Sequence, residues 1–479
     1  MRAALTELEE RRNALFILPL LLLLLLFAML TGCTYVKNWM RVEKLRGEVK
    51  KNPNPELIRE LAPEGCYQLG GLFVSDRTIE KPLLIVVVSR KSGRPEIVTE
   101  RVMRAPVVGY VILLPVGNYE LFVFADLDHN GFFEKSEVIG HTKQTAQVRI
   151  SADRSSDGFL VQGPSIILDF KQPESSDFPI QFKVTASNMI FKSLDDEFFD
   201  PRYGTIGLYN PVEFSSHTQG SMFGLEDYDP QKTMVLFVHG ATGTPRDWKF
   251  FVEKLDRKRF QPWFYYYPSG MPLEKLGIRL AFTIKYIKQR PEYMLNRLVI
   301  VAHSMGGLVS RAAINLLCKE GAPEYLKGYI SFSTPYGGVE GAEKGVKHAP
   351  VVVPSWRDVA PGSDFLTRLY QQKFPESVPF YLFFGYRGKG GESSDGTIAL
   401  SSQLDLRAQD SASRVYGFND THTGILNDQT VAKVLFGILE TVALRGNGRS
   451  QYDAAPISIG DDMKATATDA LKKGKKWVR

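Results

Sequence analysis

Cysteine is nearly absent from this chain. Of its three, Cys33 follows an apolar run, while Cys66 and Cys318 stand far apart. An isolated pair of this kind is no disulfide framework. Cys318 falls near the end of a helical pattern, on or beside its apolar face, and reads as core; neither Cys66 nor Cys318 is placed to be a nucleophile. Charge of one sign is also scarce: the net value is +6 over 479 residues. Part of that excess sits in Lys472, Lys473, Lys475, Lys476 and Arg479, a solvated tail, so nothing argues for nucleic acid as a partner. Histidine is rare too, with seven in the chain, and only His422 lies late in it. What remains is ordinary: 44% hydrophobic and 23% charged residues, the composition of a globular protein long enough for more than one domain.

The long hydrophobic run is confined to the N-terminus. Arg2, Arg11 and Arg12 precede an unbroken apolar stretch from Ala14 to Leu30, followed by Thr31-Gly32-Cys33. Basic region, apolar core and small residues in that order read as a secretory signal over residues 1–33. Leu30-Thr31-Gly32-Cys33 resembles a bacterial lipobox, which implies lipidation at Cys33. The acidic Glu7, Glu9 and Glu10 leave an uncleaved membrane anchor as the alternative. Both readings put the body of the protein outside the cytoplasm. With Thr34 following Cys33, the resemblance implies a bacterial cell envelope location, lipid-anchored at the outer membrane and facing the periplasm. Residues 34–63 read as a tether, with a short helix on either side of Asn52-Pro53-Asn54-Pro55.

Over residues 64–168 the pattern becomes one of strands. Pro82–Val88, Val107–Leu114 and Tyr119–Phe124 are separated by Gly, Pro and Ser clusters, the spacing of a small β-sandwich. Pro115-Val116-Gly117-Asn118-Tyr119 resembles prealbumin-like accessory domains, which implies a positioning role. Within it, Asp126, Asp128, Asn130, Gly131 and Glu137 fit the spacing of a calcium loop. The flanks read as strands, so a helix-loop-helix sensor is excluded. A β-turn rich in Asp, Asn and Gly accounts for the loop equally well; no metal is assigned to the site, and calcium, if bound, would be structural.

From residue 169 to 445 the chain reads as α/β. Strands at Met234–Val238, Trp263–Tyr267, Leu298–Ala302, Gly328–Phe332, Pro379–Phe384 and Arg414–Phe418 alternate with helices near Pro245–Leu255, Leu273–Gln289, Met305–Lys319 and Thr430–Leu444. Such alternation predicts a mostly parallel sheet covered on both faces. The centre of the pattern is Leu298-Val299-Ile300-Val301-Ala302-His303-Ser304-Met305-Gly306-Gly307. A buried strand gives way to Ser304 and then to a helix whose apolar face carries Met305, Leu308, Val309, Ala312 and Ala313. Strand, sharp turn with serine at its tip, and helix make a nucleophile elbow. The residues two before and two after the serine must be small, and they are Ala302 and Gly306. The competing reading is a chance match in which Gly306-Gly307 merely lets a helix pack closely on the sheet. Ala-His-Ser-Met-Gly resembles the elbow of several small bacterial lipases.

A serine needs a base, and the base an orienting acid. On this fold the order along the chain is serine, acid, histidine. His129, His141, His217, His239 and His303 precede Ser304, and His348 precedes most candidate acids, which leaves His422. The candidate acids are Asp358, Asp364, Asp395, Asp405, Asp410 and Asp420. Asp395 follows a strand in Ser394-Asp395-Gly396, so a turn would bring it to the carboxyl edge of the sheet, where the elbow lies. Asp358 and Asp364 fall in an insertion, and Asp420 is too close to His422 in sequence. Phe237-Val238-His239-Gly240-Ala241 resembles the His-Gly motif of lipases, which implies that the Ala241 N–H is one oxyanion donor. The Met305 N–H, at the positive end of the following helix, is the other. His239 and His303 read as structural.

Together these pieces resemble the α/β-hydrolases of the lipase and esterase type over residues 230–445. Tyr267-Pro268-Ser269-Gly270, Ser333-Thr334-Pro335-Tyr336-Gly337-Gly338 and Ser394-Asp395-Gly396 resemble the subgroup related to GPI inositol-deacylases. The resemblance implies a serine hydrolase acting without a cofactor on carboxylic esters, with catalytic Ser304, Asp395 and His422. Residues 335–378 are too long for a simple connection and read as a cap, whose apolar content suits a lipid-like acyl chain. Two alternatives stand beside it: an acyltransferase using the same triad, and a non-catalytic envelope binding lipoprotein. Residues 446–479 read as a disordered basic tail.

Overall fold

The computed structural model describes residues 34–103, 107, 109–142, 148–151, 159–183, 193–218, 222–289, 293–387 and 393–444. Residues 1–33, with the expected signal and Cys33, and residues 445–479, with the expected basic tail, lie outside them. Among the described residues no helix is long and apolar enough to cross a membrane.

Among the described residues the N-terminal β region holds eleven short strands: β1 (Tyr67–Val74), β2 (Leu83–Ser89), β3 (Glu96–Met103), β4 (Gly109–Leu114), β5 (Gly117–Phe124), β6 (Phe132–Glu134), β7 (Val138–His141), β8 (Val148–Ile150), β9 (Leu160–Gln162), β10 (Ile166–Ile167) and β11 (Gln181–Lys183). One sheet runs β10-β1-β4, with β9 also on β1; the second runs β3-β2-β5-β7, with β8 on β5. Leu69 and Ile112 of the first sheet meet Ile85, Val87, Leu121 and Val123 of the second, forming the sandwich core. The second sheet is apolar on its other face too. There Leu84, Val86, Val88, Phe122 and Phe124 are covered by Phe133 and Phe178, which is why all seven residues of β2 are buried. The β structure extends beyond the expected boundary at 168, because β11 pairs back with β6.

The second sheet system is β12 (Met222–Gly224), β13 (Thr233–Val238), β14 (Phe260–Tyr265), β15 (Leu298–His303), β16 (Leu326–Phe332), β17 (Phe380–Gly385) and β18 (Arg414–Phe418). Its order is β12-β14-β13-β15-β16-β17-β18, with every pair parallel except β12 on β14. Alternation along the strands sends Leu236, Val238, Leu298, Ile300 and Ala302 to one face, where Leu276, Leu280, Leu308 and Ala313 pack. Val235, Phe237, Val299 and Val301 go to the other, against Trp248, Phe251, Leu435 and Leu439. Burial on both faces explains the continuous apolar runs. This is an α/β-hydrolase fold preceded by a β domain.

Residues 193–218, which show no clear period in the sequence, form the helices Pro201–Tyr209 and Pro211–Thr218. An aromatic cluster of Phe198, Phe199, Phe214, Phe223 and Tyr266 seats them. The insertion after β16 folds as three short helices, Glu340–His348, Pro354–Val359 and Asp364–Leu369. Its Phe365, Leu366 and Leu369 join the main core, so much of the cap's apolar content packs it down. The helix Thr34–Lys51 reaches this cap: Tyr35 stacks on Trp356 at 6.0 Å and its hydroxyl donates to the Val351 carbonyl at 3.2 Å.

Candidate active site

The buried strand β15 ends at His303, and the helix Met305–Leu317 begins one residue after Ser304. Between them Ser304 holds φ 52° and ψ −130°, a costly backbone conformation for a residue with a Cβ. It is kept there by its surroundings. Its N–H donates to the Phe332 carbonyl at 2.8 Å, and the turn leans on the loop after β13. A Cβ on Gly306 would lie 2.3 Å from the His239 carbonyl oxygen, and one on Gly240 would lie 2.9 Å from the Ser304 Cβ. Glycine at both positions is thus a requirement of close approach, as the small-residue pattern predicts at 306.

Ser304 Oγ is 2.9 Å from His422 Nε2, and His422 Nδ1 is 2.7 Å from Asp395 Oδ2. With Nδ1–H donated to the carboxylate, Nε2 keeps its lone pair toward the serine hydroxyl. Asp395 is fully buried. Burial pushes its carboxyl up, but the His422 bond and the Ile398 and Thr397 N–H groups outweigh that and hold it below the ordinary value. Those two amides donate to Oδ1 at 2.7 and 2.9 Å. A second link runs through the backbone, from the His422 N–H to the Asp395 carbonyl at 2.8 Å. The remaining candidate acids lie elsewhere. Asp358 Oδ2 accepts the Leu273 N–H at 2.6 Å, Asp405 pairs with Arg407 at 2.7 Å, and Asp420 pairs with Arg387 at 3.1 Å. Asp364 lies in the first turn of a cap helix and Asp410 just past the helix Leu406–Gln409.

His303 and His239 serve as struts. His303 Nε2–H donates to the His422 carbonyl at 2.8 Å; burial, and then the neighbouring His422, push its ring down to about 3. His239 is pushed down to about 4 by burial. Its Nδ1–H meets the Gly240 carbonyl at 2.8 Å, and its Nε2 accepts the Tyr267 N–H at 3.2 Å. The Tyr267 hydroxyl donates to the His239 carbonyl at 2.6 Å, fixing the oxygen against which Gly306 packs. Both rings are therefore neutral.

Ala241 and Met305 line one cavity with Ser304 and His422, and the N–H of neither has a protein acceptor among the described residues. Thr242, next to Ala241, sits at φ 56°, and its N–H is held by Ser269 Oγ at 3.1 Å. Ser269, with Tyr267, gives the Tyr-Pro-Ser-Gly stretch a role its motif alone does not state. The cavity measures about 630 Å³, and Leu208, Val339, Trp356, Val359, Ile398 and Leu426 supply apolar lining. Half-buried Asp247 also borders it; desolvation pushes its carboxyl up to about 6. No periodicity in the sequence singles out Asp247.

The Asp126 loop is remote from this cavity. Ligand atoms of Asp126, Asp128 and Glu137 lie within 4.8 Å of one another. Glu137 already accepts the Leu127 and Glu134 N–H groups at 2.7 and 2.9 Å, and the Gly131 N–H donates to Asp126 at 3.2 Å, so the loop is built as a self-bonded turn. Cys66 and Cys318 are buried, free thiols, pushed by burial up to about 12 and about 11, which rules out ready thiolate chemistry.

Residues 229–369 match the family described as "Putative serine esterase (DUF676)". The chain is an enzyme of the serine esterase type. No curated protein matches it. Among solved structures, it is similar to the mature lipase BlEst2 of Bacillus licheniformis, at 19% identity and TM-score 0.37, over 46% of this chain and 97% of that one. It is also similar to the lin2722 product of Listeria innocua (13%, 0.35, 44% and 94%) and to a carboxylesterase structure from the thaumarchaeon Nitrososphaera gargenis (10%, 0.33, 46% and 94%).

Proposed function

We propose that Ser304, His422 and Asp395 act as a catalytic triad that cleaves carboxylic esters with apolar acyl groups through an acyl-enzyme. The observation that carries this reading is the unbroken hydrogen-bonded chain from Ser304 Oγ through His422 to Asp395, at 2.9 and 2.7 Å, opening on an apolar cavity beside two unoccupied amides. As Ser304 Oγ attacks the ester carbonyl, its proton passes to His422 Nε2 and the carbonyl oxygen takes up negative charge. The Ala241 and Met305 N–H groups meet that charge, and the buried Asp395 carboxylate stabilises the imidazolium. Collapse expels the alcohol, which takes the proton from Nε2. Water then repeats the sequence, with Nε2 as base, to release the acid and free Ser304. A screen of esters of increasing acyl length on the purified chain tests the substrate class. The cavity's apolar lining supports a maximum at medium or long chains, and a preference for acetyl esters would overturn the apolar assignment.

The reading includes attachment to a bacterial envelope membrane through a lipid on Cys33, at the outer membrane facing the periplasm. Its support is the sequence Leu30-Thr31-Gly32-Cys33 directly after the apolar run. Mass spectrometry of the N-terminus tests it: a lipid-modified Cys33 is expected, and an intact Met1 would favour an uncleaved anchor.

A further inference from the structure

Where the β domain meets the hydrolase fold, Phe159 and Leu160 pack on Ile278, and beside this contact lies a small cavity of about 50 Å³. Cations from three parts of the chain line it: Arg59 of the helix Pro55–Leu61, Arg101 of β3, and Arg279 and Lys275 of the helix Leu273–Gln289. Lys275 is engaged, its ammonium donating to the Glu64 and Cys66 carbonyls at 2.6 and 3.1 Å. The guanidinium groups are poorly met. Arg101 Nη1 donates to the Val111 carbonyl at 2.7 Å, but its Nε is buried without a partner, as is the Nε of Arg59. Arg59 has a long ion pair to Glu60 at 3.5 Å. The Arg279 carbonyl accepts the Thr283 hydroxyl at 2.8 Å, but its guanidinium makes no hydrogen bond or ion pair among the described residues. Glu100 also borders the cavity, but it is exposed and pairs with none of them.

Crowding four cations in a cleft with so little counter-charge is unfavourable, because each is desolvated and each repels the others. Burial, and after it Arg279 and Arg59, push the Arg101 guanidinium down to about 9. Arg279 is lowered by burial, and no carboxylate acts on it in the other direction. An anion would answer all three at once. Planar forks directed from three elements suit a tetrahedral oxyanion with several oxygens better than a carboxylate with two. The volume suits one such group.

We propose that this interdomain cavity is a binding site for a phosphate group, carried either by free phosphate or by a lipid headgroup. Bound there, the group would tie the tether helix, the β domain and the hydrolase fold together. Thermal unfolding of the full chain tests this, in inorganic phosphate and in sodium chloride of equal ionic strength. A second arm uses dihexanoyl phosphatidylglycerol below its micelle concentration. The expected result is a saturable rise in Tm of a few degrees with one or both phosphate sources and none with chloride. In Arg279→Met that rise should vanish, while Tm without phosphate stays equal to the wild type's or exceeds it, since a repelling charge is gone. A rise with inorganic phosphate alone assigns the site to the free ion; a rise at tenfold lower lipid concentration assigns it to a headgroup. Equal effects of phosphate and chloride, or a rise undiminished in Arg279→Met, would overturn the site. Arg101→Met is the weaker variant, because that side chain also supports Val111. The Arg279 side chain bonds to nothing among the described residues, so its loss keeps the test interpretable even if Arg101→Met does not fold.

Discussion

The two cavities differ in how the protein meets their charges. At the catalytic cavity the charged member, Asp395, receives two backbone amides and the His422 ring, and nothing about it awaits a ligand. The unfilled capacity there is the pair of Ala241 and Met305 N–H groups, which we propose meet the charge that appears during reaction. At the interdomain cavity the charge is permanent and, at the Arg279 guanidinium, unanswered among the described residues. A pre-satisfied carboxylate beside idle neutral donors is the arrangement of a site that stabilises a transition state. Idle full charges are the arrangement of a site that holds an ion. Breaking each part of the catalytic network should therefore have effects graded by its nearness to the developing charge.

The largest effect belongs to Ser304. Ser304→Ala removes the attacking oxygen and should lower kcat on the order of 10⁶-fold, as in the serine-protease template, with fold unchanged. A fluorophosphonate probe should label the wild type and leave the variant unlabelled; equal labelling would refute the elbow. Asp395→Asn comes next. Asn keeps the size but can turn its amide toward His422 Nδ1, favouring the wrong tautomer, at a cost of about 10⁴ in kcat. Asp405→Asn, whose carboxylate pairs with Arg407, should stay within about threefold, inside the scatter of surface substitutions. Steady-state kinetics on one ester decides between them, and a collapse of Asp405→Asn with Asp395→Asn intact would reassign the acid.

Gly306→Ala tests the scaffold behind the chemistry. Its new Cβ, 2.3 Å from the His239 carbonyl, forces the loop carrying Ala241 away from the elbow. A displacement near 1 Å costs on the order of 10²-fold in rate, with about 1–3 kcal/mol of stability lost to overpacking. Urea unfolding together with kcat should show both; an unperturbed enzyme would mean the loop is free to move and the oxyanion donors are not preorganised.

Much of this site was legible because its parts are local. The elbow is a contiguous stretch, and the helix Leu273–Gln289 has the bounds its periodicity predicts. His422 stood out by scarcity. Asp395 needed the assumption that a turn after β17 returns to the sheet edge, and the backbone bond from His422 that secures it has no sequence signature. The helices over 201–218 were hidden because proline and glycine interrupt their period, and an aromatic cluster, a tertiary property, seats them. The Arg59, Arg101 and Arg279 group was invisible for the same reason. Each is an ordinary surface-type residue in its own segment, and only domain docking makes them neighbours.

The smallest effect compares Asp395 with Asp358, two shielded carboxylates with opposite fates. Asp358 sits in the cap helix Pro354–Val359 and bonds the Leu273 N–H at 2.6 Å. Burial, reinforced by Glu274, outweighs that bond and pushes its carboxyl up to about 6. A free aspartate titrates near ~3.9, so between about 4 and 6 the folded chain keeps a proton that the unfolded chain has released. Stability contributed by this group is then present at acid pH and lost as pH rises through about 6. For Asp395 the sign is opposite: its stability is present above the free value and lost as pH falls through its lowered one. Asp358→Asn retains an oxygen for Leu273 and never ionises. Its Tm should match the wild type's near pH 4 and exceed it by a degree or more at pH 8 (about 1 kcal/mol shifts Tm by roughly 2–4 °C in domains of 150–250 residues), with turnover unchanged. A wild type more stable than the variant at pH 8 would mean that the Leu273 bond holds Asp358 ionised, and that the cap is fastened by charge as the triad is.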